Sequence, residues 1–233
     1  MGRITILYDN RRVREDLTPG WGFSAFIEGF EKKILFDTGA DRLVLEHNAG
    51  ALGVDLASTD LLVLSHAHCD HIGALSSALH QGVTVYYPAS FPLSFGERLE
   101  AAKASARPVK ESQQILAGVH TTGELGERIK EQGLVLKGEH GPVLMVGCAH
   151  PGLVPMVEAA MESAGGPLWL VLGGFHLAEK DAREVQTIAL QLLGMGVEQV
   201  APCHCSGDRA VAILKDTFKE ACLDIRAGSE VLF

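Results

Sequence analysis

Short apolar runs alternate with helical periodicities along the chain. Residues 4–8, 23–28 and 32–36 read as strands, the last two joined around Gly29 as a hairpin. The run Leu61-Leu62-Val63-Leu64 predicts a buried strand, and Val83-Thr84-Val85-Tyr86-Tyr87 is the clearest β pattern in the sequence. Further strands are expected at 134–137 and 143–146, which pair through Gly138-Glu139-His140-Gly141, and at 168–172, 197–201 and 231–233. Apolar spacing and capping signals predict helices over 41–49, 72–79, 97–105, 153–163, 181–193 and 208–220. Residues 106–132 mix Pro108, Gly118, Gly123 and Gly126 with charged positions and predict no regular element. Strands interleaved with helices in two comparable halves make an α/β protein.

The polar residues of interest follow the strands. Directly after the run at 61–64 comes Ser65-His66-Ala67-His68-Cys69-Asp70-His71-Ile72-Gly73. His66 and His68, two apart at the end of an extended segment, can point the same way. Asp70 and His71 then enter a helix start, which aims them at an adjoining position. A lone histidine after an apolar strand is more often a hydrogen-bonded core residue, but three imidazoles and a carboxylate in six residues would be costly to bury without a partner. The density and spacing point to metal ligation, at two neighbouring sites rather than one. His150, His176 and His204 also each follow a predicted strand.

His66-x-His68-x-Asp70-His71 followed by Gly73 resembles the signature of the metallo-β-lactamase superfamily. The resemblance covers nearly the whole chain: Asp37-Thr38-Gly39 resembles the superfamily's first motif, Gly147-Cys148-Ala149-His150-Pro151-Gly152 supplies a third-motif histidine, and Pro202-Cys203-His204-Cys205-Ser206-Gly207 a late one. With Gly173-Gly174-Phe175-His176-Leu177, the set looks like the branch labelled 7,8-dihydropterin-6-yl-methyl-4-(β-D-ribofuranosyl)aminobenzene-5′-phosphate synthase-like. The resemblance implies a four-layer αββα sandwich and two divalent metal ions. His66, His68 and His150 would hold one ion, and Asp70, His71 and His204 the other. Zn2+ suits these donors, as do Mn2+ and Fe. Asp37 is expected to hydrogen-bond a ligating histidine. Asp70 has the added candidate role of orienting the nucleophile, a hydroxide on the metals, or of passing a proton to the leaving group. Many superfamily hydrolases place a bridging Asp where this chain has His176. A neutral imidazole cannot bridge two cations, so His176 either ligates one metal or contacts substrate.

Composition narrows the setting. At 233 residues with 47% apolar, a single domain over 1–233 is expected, with a substrate-covering insertion at about 91–133. Within that insertion Lys103, Arg107 and Lys110 are candidate contacts for an anionic substrate. A formal charge of −9 with no basic tail opposes a nucleic-acid partner. No apolar run reaches the roughly 18–20 residues of a membrane span, and none at the start resembles a secretory signal. Five cysteines do not read as a disulfide framework, so a cytoplasmic protein with reduced thiols is expected. On an extended segment Cys203 and Cys205 would point away from His204 and serve packing, whereas Cys148, two before His150, could face the site.

These readings converge on a binuclear metal-dependent hydrolase acting on a small anionic phosphoester, ester or lactone. The alternatives are a synthase condensing a dihydropterin with an aminobenzene ribose phosphate and, from another class, a non-catalytic metal or ligand sensor. The oligomeric state is not legible.

Overall fold

The computed structural model describes residues 1–233, which fall into two compact units. The first comprises Met1–Glu111 and Arg226–Leu232. Its strands are β1 (Arg3–Tyr8), β2 (Ser24–Glu28), β3 (Ile34–Phe36), β4 (Leu61–Val63), β5 (Thr84–Pro88) and β6 (Ser105–Val109). They lie in one sheet in sequence order, and the closing strand Glu230–Leu232 adds outside β1. β1, β2 and β3 pair antiparallel, whereas β3, β4, β5 and β6 run parallel. That switch explains the sequence pattern. β4 is flanked by parallel neighbours and wholly buried, so it reads as an unbroken apolar run rather than an alternation. Helix α1 (Arg42–Ala51) opens on Asp41, whose carboxylate accepts from the Leu43 and Val44 amides. Leu45 and Ala49 of α1 join a core with Leu7, Phe26, Leu35, Leu62, Val85 and Leu99.

The second unit, Ser112–Ile225 with Phe233, is built on β7 (Gln113–Leu116), β8 (Val119–Thr121), β9 (Leu134–Lys137), β10 (Pro142–Val146), β11 (Leu170–Gly174) and β12 (Gln199–Cys203). β7 to β10 form an antiparallel meander, and β10, β11 and β12 run parallel. The parallel strands are joined through α4 (Leu153–Ala164) and α5 (Ala182–Gly194), the latter opened by an Asp181–Glu184 capping box. α6 (Asp208–Phe218) follows β12. Val146, Met156, Val171, Val185, Leu192, Val200 and Leu214 belong to this unit's own core.

Three expectations need correction. The helix predicted over 72–79 is instead the single turn α2 (Cys69–Ile72) followed by a 3-10 turn, Leu75–Ser77. The helix predicted over 97–105 is α3 (Leu93–Ala101), and its last predicted residue already belongs to β6. Residues 106–132, expected to be irregular, contribute the rest of β6, then β7 and β8. Pro108 suggests a break because proline disrupts strands in general, yet β6 is the last strand of its sheet, where a missing N–H need cost no ladder bond. Residues 91–133 therefore supply α3 and strands of both sheets.

Gly73, the glycine of the histidine-rich motif, sits where the backbone of α2 meets the α1 entry. Its amide donates to the Gly39 carbonyl at 2.9 Å, and a Cβ on it would lie 2.2 Å from the Ala40 carbonyl oxygen. Since the obstacle is backbone, Gly73→Ala should destabilise the protein by about 1–3 kcal/mol in denaturant unfolding. Gly50, inside α1 with open space for 4 Å around the place a methyl would take, provides the contrast. Gly50→Ala should stabilise by about 0.4–1 kcal/mol in the same measurement.

Candidate metal centre

In an open α/β sheet, ligands gather beyond the carboxyl ends of the parallel strands. Each unit places its candidate residues there. In the first unit Asp37 follows β3, and His66, His68, Asp70 and His71 follow β4.

Asp37 is fully buried and adopts a left-handed backbone conformation, φ 56°. Its Oδ1 accepts from the Ser65 amide at 2.7 Å, and its Oδ2 from the Ser65 hydroxyl at 2.6 Å. His71 Nδ1 lies 2.7 Å from the same Oδ2. An ionised carboxylate only accepts, so His71 donates from Nδ1, which leaves Nε2 as the nitrogen that can ligate. Ser65 has one proton, already given to Asp37. Its 2.9 Å contact with His66 Nδ1 therefore runs the other way, with His66 donating from Nδ1 and its lone pair on Nε2. One carboxylate thus sets the tautomer of two buried rings. Burial, reinforced by the nearby His71, holds His66 well below the usual imidazole range, so the ring is neutral near pH 7. The ring centroids of His66 and His71 are 4.2 Å apart, and those of His66 and His68 4.6 Å. Asp70, on α2, brings Oδ2 to 3.9 Å from His71 Nε2. His68 is exposed and Asp70 half-buried.

In the second unit His150, His176 and His204 follow β10, β11 and β12, all parallel, so they share one edge of the sheet. The loop that carries His150 is moulded by Glu131, a residue that no sequence pattern singles out. Its buried carboxylate accepts from the amides of Gly147, Cys148 and Ala149 through Oε1 and of His150 through Oε2, all at 2.9–3.0 Å. No local spacing signals this, because the partners lie 16–19 residues downstream. The Ser206 hydroxyl donates to the Cys203 carbonyl at 2.7 Å and accepts from the Phe175 amide at 3.1 Å, tying the ends of β11 and β12.

His150 and His176 stack at 4.4 Å between centroids. The segment after β12 is a 3-10 turn, His204–Ser206, rather than extended chain. This overturns the packing role expected for Cys205. Its sulfur, that of Cys148 and a ring nitrogen of His176 all lie within 4.8 Å of one another. Hydrogen bonding to Cys148, then to His176, draws the Cys205 thiol down to about 5 against its burial, and the Cys205 bond raises His176. The imidazole and carboxylate donors of the two units are of the kind that hold divalent transition metals.

Lys103, Arg107 and Lys110 are exposed on and beside the edge strand β6. Other basic residues accompany His150. A cavity of about 580 Å³ is lined by Glu127, Arg128, Ile129, His150 and Pro151, and another of about 420 Å³ by His150, Phe175, His176, Leu177, Lys180 and Ile188. No helix is long and apolar enough to cross a membrane.

Comparison with known proteins agrees with this geometry. The family model of the metallo-beta-lactamase superfamily matches residues 17–160. A 7,8-dihydropterin-6-methyl-4-(beta-D-ribofuranosyl)-aminobenzene-5'-phosphate synthase of Methanocaldococcus jannaschii is 27% identical, covering 93% of this chain and 92% of its own. The crystal structure of Tm1679, described as a metal-dependent hydrolase of the beta-lactamase superfamily, aligns with a TM-score of 0.82 at 26% identity, over 100% of this chain and 99% of that one. The metallo-beta-lactamase fold protein YhfI from Bacillus subtilis shares the fold, with a TM-score of 0.71 at 13% identity over 99% and 98% of the two chains. The expected fold class, α/β of the metallo-β-lactamase type, is the one these structures share. Over most of its length and with its motif histidines at the strand ends, the chain belongs to the metallo-beta-lactamase superfamily.

Proposed function

We propose that this protein is a binuclear metal-dependent hydrolase of a small anionic substrate, a phosphoester, ester or lactone. The observation that carries the reading is the Asp37–Ser65–His66–His71 network, which engages Nδ1 of both imidazoles and leaves their Nε2 atoms to face a ligand beside Asp70. As the superfamily resemblance implies, His66, His68 and His150 would hold one ion and Asp70, His71 and His204 the other. When bound, two divalent ions supply Lewis acidity and bring the acidity of water toward neutral pH. Asp70 is assigned the orientation of the attacking water and proton delivery to the leaving group. Arg128 and Lys180, in the cavities beside His150, are assigned the substrate's anionic group, with Phe175, Leu177 and Ile188 against its apolar part. Lys103, Arg107 and Lys110 remain proposed outer contacts for the same anion. Zn2+ is the ion favoured by the nitrogen-rich set.

The relationship to the M. jannaschii synthase favours a second reading, condensation of a dihydropterin with an aminobenzene ribose phosphate. One preparation assayed on chromogenic phosphoesters, on lactones and on the two synthase substrates separates the readings. Hydrolysis supports the first, and pterin consumption without hydrolysis replaces it with the second.

Asp70→Ala should lower turnover by about 10²–10⁴-fold on whichever substrate is active. Lys180→Ala and Arg128→Ala should raise KM with little change in kcat, as loss of uniform binding does. Asp37→Asn replaces an acceptor by an amide that can donate, and should weaken metal retention by about 10–100-fold in competition with a chelator.

A further inference from the structure

The three loops that follow β10, β11 and β12 bring together donors which the six-residue ligand assignment does not use. The sulfurs of Cys148 and Cys205 and a ring nitrogen of His176 are mutually within 4.8 Å. Both thiols are buried, and His176 is exposed. The approach depends on Gly174, since a Cβ there would lie 2.7 Å from the Cys205 sulfur and 2.4 Å from the Gly147 carbonyl oxygen. The pocket edge is held on both sides, by Glu131 against the Cys148 loop and by Ser206 between β11 and β12. Bonds of about 2.3 Å to sulfur and 2.0–2.1 Å to nitrogen require tetrahedral donors somewhat under 4 Å apart. Closing this triangle needs shifts of no more than about an ångström, from the exposed His176 ring toward the sulfurs and from the two thiol side chains toward each other. Two thiolates and an imidazole form the soft donor set that selects Zn2+, Co2+ or Cd2+ over Mn2+ or Mg2+, and the solvent side leaves a fourth position for water or an exogenous ligand.

We propose that Cys148, His176 and Cys205 together hold one soft divalent cation through two sulfurs and an imidazole. The site gives His176 a role other than standing in for a bridging carboxylate.

The test is a titration of the metal-stripped full chain with Co2+, read by the near-ultraviolet sulfur-to-cobalt charge-transfer band. The wild type should develop the band, and Cys148→Ser and Cys205→Ser should each lose most of it. A Cys69→Ser/Cys203→Ser/Cys222→Ser variant should keep it, as should His66→Ala, whose ligand belongs to the other assignment. Since the cysteines are buried, His176→Gln at an exposed position is the variant least able to disturb folding. It should weaken cobalt binding at this band by more than the roughly 10–100-fold that loss of an outer partner costs. Absence of the band in the wild type, its persistence in Cys148→Ser, or unchanged cobalt affinity in His176→Gln would overturn the proposal. Loss of the band in His66→Ala would show that sulfur and imidazole serve a single centre, and would overturn it as well. Hydrolytic activity does not enter the readout, so failure of the functional reading is distinguishable from failure of this one.

Discussion

A buried carboxylate must have its lone pairs satisfied, and in the first unit that single requirement orders the histidine-rich loop. Asp37 accepts from Ser65 twice and from His71 once, and the Ser65 hydroxyl relays the constraint to His66. Proton counting around this chain admits one arrangement, with Nδ1–H on both rings. The cost is a left-handed backbone at Asp37, φ 56°, held by the close pairing of β3 with β4. Ring orientation and the place of the Nδ1 proton are therefore settled by the fold before any ligand arrives, which is what preorganisation of a metal ligand means physically.

The second unit solves the same problem with a different residue. Glu131 gathers four consecutive amides and fixes the loop from Gly147 to His150, including the left-handed Ala149, φ 54°. Four N–H donors satisfy the lone pairs of this buried carboxyl group. Both units thus use one buried acid to shape a loop at the carboxyl ends of parallel strands, where short βα connections leave side chains projecting from the sheet edge.

Much of this is legible in the sequence because the motif is local. Three histidines and an aspartate within six residues after an apolar strand announce both their element and their chemistry, and Asp37 follows its strand directly. Glu131 is not legible, since its partners are remote and its neighbours carry no pattern. Cys205 escapes sequence reasoning for a related reason. An extended continuation of β12 would turn it away, but the chain enters a 3-10 turn with His204 at φ 48°, and alternation fails there. Lys103, Arg107 and Lys110 draw attention by density of charge, whereas the cavities beside His150 carry Arg128 and Lys180, single basic residues that composition cannot distinguish from solvated ones.

The proposed function requires the histidine and aspartate donors to hold two metal ions. Elemental mass spectrometry of protein purified without chelator tests it most directly, carried out on a Cys148→Ser/Cys205→Ser background so that thiol-bound metal does not enter the count. Two equivalents of Zn, Mn or Fe per chain are expected in that background, reduced when His71 or His204 is also replaced by alanine. One equivalent or none, unchanged by those replacements, would contradict it.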